Sequence, residues 1–434
     1  MRIDHTHHGS DEHFGMGVEA STALRFGSML LTSGAPAYRV IRAVKRCARA
    51  LGFDHADVIV GLDTLTCTFH RGERFRTLAA VLPVPGVNAS RIEALENFSR
   101  HELHHYATAE EVNALLDDIE HIHTPRWSPL VASLAAGLAC GGFAILNRFS
   151  LLTAVLVVIA AGVGQFVRQR LAHKRFLQLG VVMIAGAVST ILFLLLSLLV
   201  PGADTQLSAG FVAAILYLIP GFPLFVALND LSRFDFSAGI PRLFYALEVI
   251  VAMMLTVAVI AMITSAPPPP HISAEPELGF YLAAAVASFF SIGGFAIIFN
   301  ASRRMALLAA TLGTVANILR LVLLHADMRY FLACFLGTLT IGILGRWLGQ
   351  HFHVPRSTVT IPATVVMIPG TTIYAAMQEL TSGDVTGGIS ATTEVVLAVL
   401  FLSGGLTVAR LITDRNWAFQ HHIDFRENLG GTPG

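Results

Sequence analysis

The sequence predicts a polytopic α-helical membrane protein of ten transmembrane helices, arranged as two inverted five-helix repeats, with an N-terminal cytoplasmic α+β domain. Three observations carry this. The 434-residue chain is 54% hydrophobic and only 13% charged, with a mean hydropathy of +0.64, whereas soluble domains are about a quarter charged. Nearly all its ordinary soluble character lies in residues 1–125. Beyond these, apolar runs long enough to cross a bilayer, about 20 residues each, follow one another. Finally, two stretches 149 residues apart read as ungapped copies: Ile219-Pro220-Gly221 running on to Asp235 and Gly239-Ile240, and Ile368-Pro369-Gly370 running on to Asp384 and Gly388-Ile389.

The ten runs fall near residues 128–147, 150–168, 178–200, 207–231, 239–264, 278–299, 304–323, 328–348, 357–380 and 388–411. Arginine and lysine collect in alternate loops: Arg168, Arg170, Lys174 and Arg175; Arg233 and Arg242; Arg303 and Arg304; Arg346 and Arg356; Arg410 and Arg415. The intervening loops, including the four-proline linker 265–277, are poor in them, with Arg148 and Arg329 as exceptions. The basic side faces the cytoplasm, so the head and both termini are expected there, in the plasma (inner) membrane of a prokaryote.

The duplication extends beyond the Pro-Gly motif, where eight of 24 aligned positions are identical. Gly141-Gly142-Phe143-Ala144-Ile145 recurs as Gly293-Gly294-Phe295-Ala296-Ile297, and at the same offset Gln165 and Arg168 match Asn317 and Arg320. Five spans per half is an odd number, so the second half must lie upside down relative to the first, the inverted-repeat plan of many secondary transporters. The expected domains are a head (1–125), a first repeat (126–264), an external linker (265–277), a second repeat (278–412) and a cytoplasmic tail (413–434). In the head, residues 17–32, 37–51, 88–100 and 109–122 read as helices, the third opening after Asn88 as a cap. Residues 57–70 and 74–82 read as one hairpin around Arg71-Gly72-Glu73.

The chemistry is expected at the two Pro-Gly breaks. Proline removes a backbone donor and glycine tolerates unusual dihedrals, so a break at mid-membrane frees backbone groups that survive only when buried in protein or lining a cavity. The half-helices opening at Phe222 and Thr371 present positive dipole ends to an anion such as a carboxylate. The substrate-binding candidates are therefore Pro220, Gly221, Phe222, Asn229, Pro369, Gly370, Thr371 and Thr372, with the buried amides Gln165 and Asn317. A simple proline kink is the plainer reading of each motif, and helix–helix adhesion that of each amide. Glu248 and Glu394 lie well inside apolar runs, where a carboxylate needs a partner, a cavity or a proton. They are the main proton-coupling candidates, against a structural pairing with Arg168 or Arg320. Asp230, Asp235 and Asp384 join them, either lining the entrance or capping helices.

Other classes find little support. Net charge is zero, so nothing points to nucleic acid. The N-terminus has no apolar core followed by a cleavage site, so no signal peptide is expected. Cys47, Cys67, Cys140 and Cys334 are scattered, and His5, His7, His8, His13, His351, His353, His421 and His422 show no ligand frame, so no disulfide framework, metal or cofactor is expected. No nucleophile elbow or phosphate loop marks the head as an enzyme.

The chain resembles the threonine/serine exporter family over nearly its whole length. The head matches at Leu30-Leu31-Thr32-Ser33-Gly34-Ala35, Tyr38-Arg39-Val40, Leu51-Gly52 and Ala109-Glu110-Glu111-Val112 with Leu115 to Ile119. The first membrane half matches at Ile219-Pro220-Gly221 through Asp230, Gly239, Arg242 and Glu248. The second half resembles the family's smaller partner module at Ile368-Pro369-Gly370, Tyr374 and Glu394. The resemblance implies export of threonine and serine, coupled to the proton-motive force, with the two modules fused in one chain. Its partners would be a small-molecule substrate (threonine, serine or a small carboxylate), protons and the lipid bilayer; a homo-oligomer is left open. The alternative it implies is export of small dicarboxylates such as succinate, which favours Arg168 or Arg320 as a second anion contact. A hydrolase head on a membrane anchor is the competing class, and a passive channel a third. The sequence departs from the family at Phe222-Pro223 and at Arg233-Phe234, where a small residue or glycine is expected before Asp235.

Overall fold

The structure, a computed structural model, describes residues 16–103, 108–122, 125–200, 210–264 and 277–419. The His-rich N-terminus, nearly all of the proline-rich linker and most of the C-terminal tail, including His421 and His422, lie outside the described residues. The chain divides into two compact units: Met1–Thr124 with Asn229–Arg242 and Phe419–Gly434, and Pro125–Leu228 with Leu243–Ala418.

The first unit opens with α1 (Gly17–Thr32) and α2 (Ala37–Ala50), followed by β1 (His55–Val60), β2 (Thr64–Arg71), β3 (Arg74–Val81), α3 (Ala89–Asn97) and α4 (Ala109–Ile122). The expected hairpin is in fact a three-stranded antiparallel sheet in the order β1-β2-β3. Residues 57–70 read as one alternating strand because Val58, Val60, Leu65 and Thr68 keep an approximate period of two. A turn at Gly61 divides them, with the Gly61 amide donating to the Thr64 carbonyl at 2.8 Å. Ile59 then pairs with Thr66, and Thr68 with Thr77. On β2, Leu65, Cys67 and Phe69 all face inward.

Phe26, Leu30 and Leu31 of α1 and Ile92 and Leu95 of α3 likewise have no exposed surface. Each such side chain contributes about 1.5–3 kcal/mol of burial. Gly27 permits the approach of β2, since a Cβ there would lie 2.8 Å from a Leu65 methyl. Asn88 caps α3 as expected, accepting from the Arg91 amide at 3.0 Å. On α4, Val112 and Leu116 turn inward while Leu115 is exposed.

The second unit is helical. Its elements are α5 (Pro129–Leu146), α6 (Leu151–His173), α7 (Gln178–Leu198), α8 (Phe211–Leu218), α9 (Gly221–Leu231), α10 (Phe236–Thr264), α11 (Leu278–Ile298), α12 (Arg303–His325), α13 (Tyr330–His351), α14 (Arg356–Val365), α15 (Gly370–Ser382), α16 (Val385–Thr413) and α17 (Arg415–Ala418). The chain passes between the units within α9 and again within α10. Eight of these helices are long and apolar enough to cross a membrane, or up to ten spans if each of the bent pairs α8–α9 and α14–α15 counts as one. The bends are 55° and 53°.

Local backbone features recur at the spacing of the duplication. Ser150 caps α6 and Ser302 caps α12, each accepting from the amide three residues on. Arg148 and Asn300 hold positive φ before these caps, as do Arg175 and Asp327 after the helices that follow. The packing of α5 on α11 is reciprocal. A Cβ at Gly142 would collide with the Ala287 carbonyl, and one at Gly294 with the Ala135 carbonyl. Between them the Ser291 hydroxyl donates to the Ala139 carbonyl at 2.8 Å. As α5 runs from Ala135 to Gly142, its partners run from Gly294 back to Ala287, so the two helices are antiparallel and related by a local two-fold.

Candidate functional site

The chain before each proline cannot stay helical, because the proline ring crowds the preceding residue out of the α region. Ile219 accordingly ends α8 with ψ at 123°. The glycine amide then turns back on the carbonyl two residues earlier, Gly221 to Ile219 and Gly370 to Ile368, both at 2.8 Å. Helix resumes with Leu224 donating to the Pro220 carbonyl and Ile373 to the Pro369 carbonyl. The intervening amides of Phe222, Thr371 and Thr372 have no acceptor within their own helices. Pro223 brings no N–H, so α9 offers fewer free donors than α15.

The two breaks pack against one another. A Cβ at Gly221 would stand 2.8 Å from Val365 and 3.4 Å from Ile368, and one at Gly370 would stand 2.7 Å from Leu216 and 3.6 Å from Ile219. These contacts are the same pair seen from either side, since Leu216 and Ile219 correspond to Val365 and Ile368. Phe211 meets Tyr374 edge-on at 5.4 Å, joining α8 to α15. Pro220, Gly221, Phe222, Pro369 and Gly370 are buried, and Thr371 and Thr372 are half-buried. Phe222 packs its ring on Phe299 at 5.4 Å, and the Thr371 hydroxyl donates to Asn147 Oδ1 at 3.3 Å.

The other candidates are dispersed. Gln165 is buried and accepts from Arg168 at 3.4 Å. Asn317 is fully buried, donating to Ser288 at 2.9 Å and accepting from Arg320 at 3.0 Å. Asn229 lies two helical turns past the first break, about 12 Å along α9, in the unit that contains the head. Glu248 and Glu394 stand on exposed faces of α10 and α16. Each is the electrostatic neighbour of a tyrosine that also senses an arginine: Tyr245 with Arg168, and Tyr330 with Arg320.

Asp384 caps α16, accepting from the Gly387 amide at 2.9 Å. Asp230 and Asp235 belong to the elbow between α9 and α10, which forms part of the head's unit. The Asp230 carboxylate has no exposed surface, pairs with Arg242 and accepts from the Ala37 amide at 3.0 Å. Arg242 in turn donates to the Ala35 carbonyl at 3.2 Å. Asp235 lies 3.7 Å from Arg233, whose guanidinium covers the Tyr38 ring. Among the described residues no three His, Cys, Asp or Glu side chains gather as a metal site would require.

Sequence reasoning missed one polar neighbourhood. Beside the first break, the Tyr217 hydroxyl meets Ser189 Oγ at 3.1 Å and the Ala185 carbonyl at 3.4 Å. Gly164 of α6 lies against this pair so closely that any Cβ would strike both hydroxyls. A lone tyrosine and a lone serine in apolar runs carry no local signal, and their counterparts in the second half, Val366 and Ile341, are apolar.

Two family descriptions match the sequence, "Putative threonine/serine exporter" over residues 21–264 and "Threonine/Serine exporter, ThrE" over residues 284–412. Among curated proteins, the "Probable succinate transporter subunit YjjP" of Escherichia coli (strain K12) is 26% identical over 242 residues, covering 56% of this chain and 92% of that protein. Its namesake in Klebsiella aerogenes is 25% identical over 236 residues, covering 54% of this chain and 89% of that protein. An "Uncharacterized protein" of Haemophilus influenzae is 34% identical over 84 residues, 19% of this chain and 28% of that protein. No solved structure matches.

Proposed function

Because the chain belongs to the threonine/serine exporter family, with both of the family's modules in one multi-pass polypeptide, we propose that it is a secondary active exporter of the small hydroxy amino acids threonine and serine, driven by the proton-motive force. The observation that carries this reading is the reciprocal packing of the two Pro-Gly breaks, Gly221 on Val365 and Gly370 on Leu216. Paired discontinuous helices meeting at a pseudo-two-fold are how secondary transporters build a midplane site between repeats. The antiparallel, reciprocal contact of α5 with α11 supports ten spans in two inverted halves. A two-fold relating antiparallel membrane helices runs across them, in the membrane plane. The loop charges support an inner-membrane protein with its head and both termini in the cytoplasm.

In this mechanism the substrate sits between the breaks, at Pro220, Gly221, Phe222, Pro369 and Gly370. Its carboxylate takes the free amides of α9 and α15 and the hydroxyls of Thr371 and Thr372, with Gln165 as a further polar contact. Glu248 and Glu394 exchange protons as the site alternates. The chain acts as a carrier, not an enzyme, and needs no cofactor.

A second reading is export of small dicarboxylates. The curated relatives' name carries succinate, and positive helix ends accept either kind of carboxylate. One experiment tests both. Cells lacking their own exporters are loaded with a threonine-containing dipeptide or with succinate, and efflux is followed with and without a protonophore. Protein-dependent threonine efflux that collapses with the protonophore is the expected result. Succinate efflux alone would transfer the proposal to the second reading, and movement only down a gradient would make the protein a channel. Glu248→Gln and Glu394→Gln should each lower uphill export at least tenfold. Uphill export that survives both substitutions would remove these acids from the coupling.

A further inference from the structure

Arg168 is a cation that its own surroundings leave unanswered. It lies on α6 one turn beyond Gly164, the residue that packs on the hydroxyls of Tyr217 and Ser189. Tyr217 stands in the last turn before the Ile219-Pro220-Gly221 break. Among the described residues the only hydrogen bond of Arg168 is a long one, 3.4 Å to Gln165 Oε1. The phenols of Tyr217 and Tyr245 are its electrostatic neighbours, Tyr245 being also a neighbour of Glu248, and among the described residues no carboxylate forms an ion pair with Arg168. A guanidinium carries five donors in a fixed fork, and a cation inside a membrane protein ordinarily has a carboxylate or carbonyls to meet it.

Its counterpart shows what a structural role looks like. Arg320, at the matching place on α12, donates at 3.0 Å to Asn317, which is itself anchored at 2.9 Å to Ser288 and fully buried. That chain of hydrogen bonds ties α12 to α11. In the first half Gln165 has no such anchor among the described residues, and Tyr217 and Ser189 stand where the second half has Val366 and Ile341. The halves are thus alike in backbone and unlike in polarity at this place.

Resting on the exporter reading above, we propose that Arg168 is the cation that pairs with the substrate's carboxylate alongside the helix-end amides, presented by Gln165 and flanked by the Tyr217 hydroxyl, and that the site is therefore asymmetric between the two halves. The fork of a guanidinium matches a carboxylate in a bidentate pair, which the helix-end amides alone do not offer. Arg168 is then a specificity residue: it selects a carboxylate over its amide or ester, while Arg320 holds the fold.

The test uses the full-length protein in proteoliposomes. Transport of labelled L-threonine and of labelled succinate is measured, and the probe that moves is kept. Its competitor lacks the carboxylate: L-threoninamide against threonine, dimethyl succinate against succinate. In the wild type the acid should be bound at least tenfold more tightly than its neutral analogue. Arg168→Gln should raise the half-saturation concentration for the acid at least tenfold, leave competition by the neutral analogue unchanged and so close the gap; Arg168→Lys should restore part of it. Arg320→Gln should reduce the yield of folded protein and leave the gap open. Wild-type protein that moves neither probe overturns the exporter reading itself. Transport with an undiminished gap in Arg168→Gln overturns the assignment of Arg168 alone. Should Arg168→Gln fail to insert, phenylglyoxal labelling of wild-type protein, mapped by mass spectrometry, decides: saturating acid should shield Arg168 while its neutral analogue does not, and equal labelling with both overturns the proposal.

Discussion

Phe234 and Gly383 occupy the same left-handed turn, one in each half of the duplication. Phe234 has φ at 63° where Gly383 has 92°, and each ends the second helix of a broken pair 149 residues apart. Glycine takes this conformation freely, whereas an L side chain there costs about 1–2 kcal/mol. The sequence departure noted before Asp235 is thus also a backbone departure: the first half keeps the turn without the residue that suits it.

Replacing Phe234 by asparagine, which tolerates the left-handed region, should stabilise the protein by about 0.5–1 kcal/mol, because the ring is largely exposed and meets Phe236 edge-on. Valine at the same place should destabilise it by about 1 kcal/mol or more, since branching at Cβ suits this region least. Thermal unfolding of both variants checks the sign. Equal shifts in one direction would contradict the backbone argument.

The α5–α11 crossing makes a second pair of opposite predictions. Gly293 has open room, its nearest neighbour being Ala310 at 3.8 Å from a built Cβ. Gly293→Ala should therefore be neutral or stabilising, as alanine is the better helix former by about 1 kcal/mol. Gly142→Ala and Gly294→Ala should each destabilise by about 1–3 kcal/mol, because their Cβ atoms meet the carbonyls of Ala287 and Ala135. Melting curves in detergent separate the two kinds of glycine.

The Asp230–Arg242 pair is closed from water on both sides, with neither residue more than a few per cent exposed. Removing one partner of such a pair costs about 3–5 kcal/mol, because the other charge is left buried. Asp230→Ala should lower the melting midpoint sharply. Asp230→Asn, which keeps an acceptor for the Ala37 amide, should lower it less. Asp230→Leu combined with Arg242→Met should recover much of the loss. A double variant no better than Asp230→Ala would show that the pair acts otherwise than through its charges.

Burial pushes the thiols of Cys47 and Cys67 up to about 12. The unfolded chain releases these protons near pH 8.5, so the stabilisation is complete below that value and is lost as pH rises from about 8.5 toward 12. The slope is about 1.4 kcal/mol per pH unit for each thiol. Melting midpoints should therefore fall more steeply above about pH 8.5 in the wild type than in the Cys47→Ala, Cys67→Ala variant. Parallel curves would exclude this contribution.

Much of the architecture is legible in local chemistry. Helix positions follow from apolar length, and the two bends fall at the Pro-Gly pairs that foretell them, because a proline acts on its immediate neighbours. The cap at Asn88 is equally local. The third strand was missed because Gly61 and Asp63 interrupt the alternation too briefly to break its period. Asp384 shows the capping role the sequence left open.

By itself, then, the sequence determined which segments are helical and apolar, where two of them break, and that the halves are copies, since all of these depend on composition and neighbours along the chain. Only the tertiary structure decided the partners. It set the Asp230 carboxylate against an amide 193 positions away, turned Glu248 and Glu394 to exposed faces, tied Arg320 through Asn317 to Ser288 and gave Arg168 only a long contact with Gln165 among the described residues. Charges and hydrogen bonds are satisfied through space, and residues far apart in the chain carry no shared period that would announce their meeting.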